Sequence, residues 1–177
     1  MSIEDLLKQH VHEIRDFPKP GISFKDITPI LANPELSKMV VTALAEHAKS
    51  LNVDAIVGID SRGFLFGASL ARLLDLPFVV VRKKGKLPGE TIAHSYDLEY
   101  GSATLEIHRN AIQPGQRVLI HDDLLATGGT AKAAAELVQQ LGGEIATFAF
   151  VIDLAFLNGS ASLQSYRASC FSLLRYD

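Results

Sequence analysis

The chain has 177 residues, 47% of them hydrophobic and 21% charged, with a formal net charge of −3. This length suits one domain, and the acidic balance excludes a broadly basic nucleic-acid binder while leaving room for a local anion site. A single cysteine, Cys170, excludes an internal disulfide and points to a reducing, cytoplasmic setting, and its apolar neighbours Phe171, Leu173 and Leu174 predict a buried structural thiol.

The N-terminal MSIEDLLKQH carries acids and no signal-type apolar stretch. No apolar run approaches the ~20 residues of a membrane span, so neither export nor membrane insertion is expected. Ile3, Leu6, Leu7, Val11 and Ile14 recur at helical spacing and predict a helix over 3–15. Residues 16–30 contain three prolines and a glycine, which predicts an ordered irregular segment. Asn33-Pro34 reads as an N-cap followed by proline at the first helical position. The helix it starts is predicted to reach about Leu51, with Leu36, Met39, Val40, Ala43, Leu44 and Ala48 inward.

A buried strand follows at 55–59, a helix at 63–74 and a strand at 78–81. Residues 82–92 are basic and glycine-rich and read as a mobile loop. Weak alternation over 93–108 around Tyr100-Gly101 suits a hairpin. Pro114-Gly115 turns the chain into a strand at 117–121, a helix over 130–141 ends at Gly142-Gly143, and strands follow at 144–152 and 169–174. Asn158-Gly159-Ser160 matches a glycosylation sequon, an accidental match in a chain with no export signal. The strand–helix alternation predicts an α/β fold with a mainly parallel central sheet flanked by helices. One domain spans 1–177, with a small N-terminal hood over about 1–33 and a core over about 34–177 that carries a mobile lid near 82–104.

Residues 118–132, VLIHDDLLATGGTAK, hold the main chemical signal. Val118 to Ile120 read as a parallel strand whose end is closed by Asp122 and Asp123. The loop Ala126-Thr127-Gly128-Gly129-Thr130 then leads into an alanine-rich helix. Carboxylates hold sugar hydroxyls, while N–H groups at a helix N-terminus and threonine hydroxyls wrap a phosphate. An ordinary βα loop with a good cap accounts for any one of these residues. Two adjacent acids beside T-G-G-T call for a ligand or cation. A Walker loop is excluded because Thr130, not lysine, follows the last glycine.

Asp60-Ser61-Arg62-Gly63 ends the 55–59 strand and either caps the next helix or forms a second anion site with Arg62. Arg82, Lys83, Lys84 and Lys86 are either a solvated loop or cations that close on a pyrophosphate. Phe24-Lys25-Asp26-Ile27-Thr28 either straps the hood to the core or walls a flat slot for a base edge. The pattern around Glu99 and Tyr100 leaves an exposed hairpin tip and a functional lid equally open. The six histidines show no metal-ligand spacing, and no G-x-S-x-G nucleophile elbow occurs.

VLIHDDLLATGGT resembles the phosphoribosyl-pyrophosphate motif of type I phosphoribosyltransferases. With FPKPGISFKDITP, GIDSRGFLFG, RKKGKLPG, SYDLEYG and FSLLRY in series, nearly the whole chain is similar to the adenine phosphoribosyltransferase family. The resemblance implies transfer of phosphoribose from phosphoribosyl pyrophosphate to adenine, giving AMP and pyrophosphate in purine salvage. It implies a cytosolic homodimer and Mg²⁺ bound mainly through phosphoribosyl pyrophosphate, with no dedicated protein metal ligands. By position, Asp122 and Asp123 would hold the ribose hydroxyls and Ala126, Thr127, Gly128, Gly129 and Thr130 the 5′-phosphate. Asp60, Ser61 and Arg62 would form the pyrophosphate loop, with a cis peptide between the first two. Arg82, Lys83 and Lys86 would be pyrophosphate-side cations, Arg82 reaching across the dimer. Ser23 and Lys25 fall in the adenine-contacting segment, where the family often has an apolar residue and arginine, and Leu154 would stack on the base. Glu99 would handle the purine proton or orient the base, and Tyr100 would sit beside it on the hood loop. Another purine phosphoribosyltransferase, or a non-catalytic regulator binding phosphoribosyl pyrophosphate, is the alternative reading.

Overall fold

The computed structural model describes residues 2–97 and 101–177. Helix α1 (Ile3–His10) opens with a capping box: Asp5 N–H donates to Ser2 Oγ at 3.1 Å and Ser2 N–H to Asp5 Oδ2 at 3.0 Å. The predicted helix over 3–15 stops at His10. Residues His12–Arg15 instead form strand β1, antiparallel to β2 (Ser23–Asp26), with His12 opposite Asp26 and Arg15 opposite Ser23. Leu7 and Val11 are buried, whereas Ile14 is 43% exposed, so its helical spacing does not mark a core position. A short helix, α2 (Thr28–Leu31), follows, and just before it the Asp26 carboxylate accepts from Thr28 N–H at 3.0 Å and from its hydroxyl at 2.7 Å.

Helix α3 (Pro34–Lys49) starts where expected, with Asn33 Oδ1 accepting from Leu36 N–H at 3.1 Å. Its inward stripe is Leu36, Val40, Val41, Leu44, Ala45 and Ala48, and Met39, expected inward, is exposed. The remaining elements are β3 (Ala55–Ile59), α4 (Gly63–Leu74), β4 (Phe78–Lys83), β5 (Thr91–Asp97), β6 (Ser102–His108), β7 (Arg117–Leu125), α5 (Gly129–Gln140), β8 (Glu144–Leu154), α6 (Gly159–Ser162) and β9 (Ser169–Tyr176).

Seven strands form one sheet in the order β5-β6-β4-β3-β7-β8-β9. Strands β4, β3, β7, β8 and β9 are parallel, and the β5–β6 hairpin adds antiparallel at one edge. One face buries Leu44, Ile56, Phe66, Leu70 and Val151 against α1, α3 and α4, and the other buries Val57, Ile120, Ala134, Leu137 and Phe148 against α5. Four strands run further than expected: β4 through Arg82 and Lys83, β7 through both aspartates to Leu125, β8 to Leu154 and β9 to Tyr176. Ladder bonds to β6 and β8 hold these polar positions extended. Cys170, expected buried, is exposed on the edge strand β9. No helix among the described residues is long and apolar enough to cross a membrane.

Candidate active site

Strands β3 and β7 lie side by side at the sheet centre, so the loop after β3 and the acids of β7 meet at one edge. Helix α4 begins tight against β7. A Cβ on Gly63 would lie 2.7 Å from the His121 carbonyl oxygen and 3.1 Å from Asp122 Oδ1, so only glycine allows this approach. The Asp60–Ser61 peptide is cis. Arg62 Nε lies 3.2 Å from Asp123 Oδ2, and its guanidinium carbon stands 4.9 Å from the centre of the Phe24 ring. The site floor and the hood therefore share one cation.

The two aspartates are interior strand residues. Asp123 is 2% exposed, and its backbone N–H donates to Asp122 Oδ1 at 2.9 Å. Asp123 Oδ2 is close enough to Arg62 for ion pairing but lacks the angle for a hydrogen bond. Burial holds the Asp122 carboxyl well above the usual carboxylate range, and the charge of Asp123 raises it further. Burial also raises Asp123, while the Arg62 guanidinium draws it back down. The protein leaves Asp123 Oδ2 without a donor, which a ribose hydroxyl or a cation can supply.

Beyond β7, Gly128 turns at φ 85° into the N-terminus of α5. The turn is held from behind by α6. A Cβ on Gly128 would meet Ser162 Oγ at 2.1 Å, and one on Gly159 would meet the Ala126 carbonyl oxygen at 2.2 Å. Ser162 Oγ donates to the carbonyls of Thr127 at 3.2 Å and Gly159 at 2.7 Å, the first as a weaker contact. The loop residues Ala126 to Thr130 wall a hollow of about 80 Å³. Beside it opens a cleft of about 410 Å³ whose lining includes Asp60, Arg62, Lys83, Tyr96, Asp122, Asp123 and Thr130. A larger hollow of about 570 Å³ between α3 and α4 is lined by Lys38, Val41, Arg72 and Leu73 and holds no paired acids, so chemistry and not size places the site.

Ser61 lies in the turn between Asp60 and Arg62. Among the other expected residues, Arg82 Nε pairs with Asp60 Oδ2 at 3.1 Å and its Nη1 donates to the Lys86 carbonyl at 3.1 Å. The segment after β4 is tied down by Glu106, which accepts from the N–H groups of Lys86 at 3.0 Å and Leu87 at 2.8 Å. Ser23 and Lys25 share one face of β2, where both side chains engage Glu13. The Lys25 ammonium lies 2.9 Å from Glu13 Oε1 and 4.4 Å from the Tyr176 ring centre, and the Ser23 hydroxyl donates to the same Glu13 oxygen. Phe24, between them, faces Arg62 instead. Leu154 is nearly buried at the end of β8, in register with Tyr176. Glu99 and Tyr100 lie outside the described residues.

Sequence reasoning missed Phe24 as a partner of Arg62, Tyr96 in the cleft, Glu106 as the anchor of the basic segment, and the Gly159–Ser162 support. The Asn158-Gly159 pair signals a turn, but nothing local ties that turn to a loop some thirty residues away.

The family model "Phosphoribosyl transferase domain" matches residues 26–168. The adenine phosphoribosyltransferase of Koribacter versatilis is 54% identical over 173 residues, covering 98% of this chain and 94% of its own. The crystal structure of adenine phosphoribosyltransferase from Thermoanaerobacter pseudethanolicus superposes with a TM-score of 0.94 at 46% identity, covering 97% of this chain and 99% of that one. The Saccharomyces cerevisiae enzyme, complexed with an imino-altritol bisphosphate and adenine, gives 0.92 at 45% identity, covering 97% and 98%.

Proposed function

The chain belongs to the phosphoribosyl transferase domain family, and from that premise we propose that it is an adenine phosphoribosyltransferase, converting adenine and phosphoribosyl pyrophosphate to AMP and pyrophosphate in purine salvage. One observation carries the sugar-phosphate half. A half-buried Asp122, a buried Asp123 with an unpartnered oxygen, and a glycine–threonine helix N-terminus open into neighbouring hollows on one sheet edge. The relatives, similar over nearly their full length, carry the choice of base.

In this reading the ribose hydroxyls donate to Asp122 and Asp123, and the 5′-phosphate sits against Ala126 to Thr130. As the bond from the anomeric carbon to pyrophosphate breaks and the bond to the purine nitrogen forms, positive charge grows on the sugar ring. The aspartates, ionised once hydroxyls or a cation satisfy them, stabilise that charge in a site shielded from water. Asp60, Ser61 and Arg62 hold the leaving pyrophosphate, with Arg82, Lys83 and Lys86 as further cations. Main-chain groups of Ser23 and Lys25 meet the base edge, because both side chains are committed to Glu13. Leu154 stacks on the base, Glu99 handles its proton or orients it, and Tyr100 covers the site. A homodimer completes it, Arg82 leaving Asp60 to serve the neighbouring subunit.

The donor set fits a magnesium ion carried in by the substrate. No cluster of three or more potential metal-ligating side chains exists among the described residues, but Asp122 and Asp123 offer carboxylate oxygens that line the cleft. Bound there with the pyrophosphate, Mg²⁺ would neutralise charge on the leaving group.

The test is AMP formation from adenine with and without Mg²⁺, beside hypoxanthine, guanine and orotate. Adenine is expected to be turned over at least tenfold better than any other base, and only with a divalent cation. Preference for another base would sink the assignment.

A further inference from the structure

Tyr96 is a polar side chain lining the cleft to which the proposed function gives no role. It stands on β5, part of the edge hairpin, and faces the start of α5. Its hydroxyl lies 3.1 Å from Thr130 Oγ, and a Cβ placed on Gly129 would be 3.5 Å from its ring. Tyr96 and Thr130 both line the 410 Å³ cleft, and Thr130 also lines the adjoining small hollow. The hydrogen bond is therefore made by two groups at the mouth of the phosphate loop.

Each hydroxyl has one proton to give, and without a ligand either can be the donor. A phosphate dianion removes that freedom because it only accepts. Thr130 must then turn its proton to the phosphate oxygen, and its own oxygen is left to accept from Tyr96. We infer that Tyr96 is a positioning residue for the 5′-phosphate, its O–H donating to Thr130 so that Thr130 O–H donates to the ligand. A charged terminal acceptor polarises such a chain, so each bond strengthens the next. The inference rests on the phosphoribosyl reading of the site and assigns it one more determinant of affinity.

The experiment is calorimetric binding of ribose 5-phosphate, AMP, adenine and pyrophosphate to the wild type and to Tyr96→Phe, Thr130→Val and the double variant. Tyr96→Phe keeps the ring and removes only the hydroxyl. It is expected to weaken ribose 5-phosphate and AMP about five- to twentyfold, with adenine and pyrophosphate unchanged within twofold. In the Thr130→Val background the same substitution should have an effect below twofold, because the relay is already broken. Equal losses for all four ligands, or full additivity of the two substitutions, would overturn the inference by reducing Tyr96 to a structural prop. If the wild type itself fails to bind ribose 5-phosphate, the phosphoribosyl reading fails. If the wild type binds it and Tyr96→Phe binds it equally well, only the role of Tyr96 is lost.

Discussion

At the scale of single residues, the site concentrates charge where the fold least favours it. Asp122 and Asp123 are adjacent, enclosed and held above the usual carboxylate range by burial. The sign of the consequence follows from linkage. The unfolded chain ionises these groups near the ordinary value, while the folded protein ionises them only at higher pH. Folding stability from this pair is thus complete at low pH and falls as pH rises through the folded-state range. Asp122→Asn keeps an acceptor for Asp123 N–H and removes the like charge. In the ligand-free protein it is expected to raise Tm at pH 7 by about 2–4 °C, the shift that roughly 1 kcal/mol produces in a chain of this size. Turnover should fall about a hundredfold or more, since a stabilising charge beneath the ring is gone. Thermal denaturation and steady-state rates measured on one preparation check both halves. A variant that is less stable than the wild type at pH 7 would contradict the strain assigned to the pair.

Elements matter here through what they press against. The phosphate loop belongs to the β7–α5 connection, but its shape is held by α6, whose Gly159 leaves no space for a methyl group beside the Ala126 carbonyl. Gly159→Ala is expected to displace the loop, raise KM for phosphoribosyl pyrophosphate at least tenfold and leave KM for adenine within about threefold. Kinetics with each substrate varied in turn read this directly; an unchanged phosphoribosyl pyrophosphate KM would remove α6 from the site. The hood shows the same dependence on neighbours. Residues 12–15 satisfy a helical spacing, yet they pair with 23–26, because Glu13 then reaches Ser23 and Lys25 and Phe24 is turned toward Arg62. Spacing alone reports which residues are apolar, not which partner strand stands ready to take the backbone hydrogen bonds.

For the whole molecule, assembly turns on Arg82. Within one protomer it closes on its own Asp60 and on the Lys86 carbonyl. A dimer in which it serves the neighbouring site requires that pair to exchange. Sedimentation at working concentrations is expected to show a dimer, and Arg82→Ala to lower turnover more than tenfold while the dimer persists. A monomer with full activity would rule out the cross-subunit role.

By itself the sequence determined what depends on local pattern. Buried strands at 55–59 and around 118–121, helices from Pro34 to about Leu51 and over 63–74, and the T-G-G-T loop follow from runs, periods and turn residues that sit next to one another in the chain, the first helix ending two residues early at Lys49. So does the pairing of acids with a phosphate loop, since both halves lie within nine residues of β7 and α5. Only the tertiary structure decided which distant groups touch: Arg62 between Asp123 and Phe24, Tyr96 on Thr130, Glu106 under the basic segment, Gly159 behind Gly128. It also decided that Cys170 and Met39 face outward. The reason is physical. Propensity and periodicity act over a few residues, whereas burial and side-chain pairing are set by the order in which strands line up in the sheet. That order brings the acids, the arginine and the phosphate loop to one edge, where the VLIHDDLLATGGT run becomes half of a site that the hood and the edge hairpin complete.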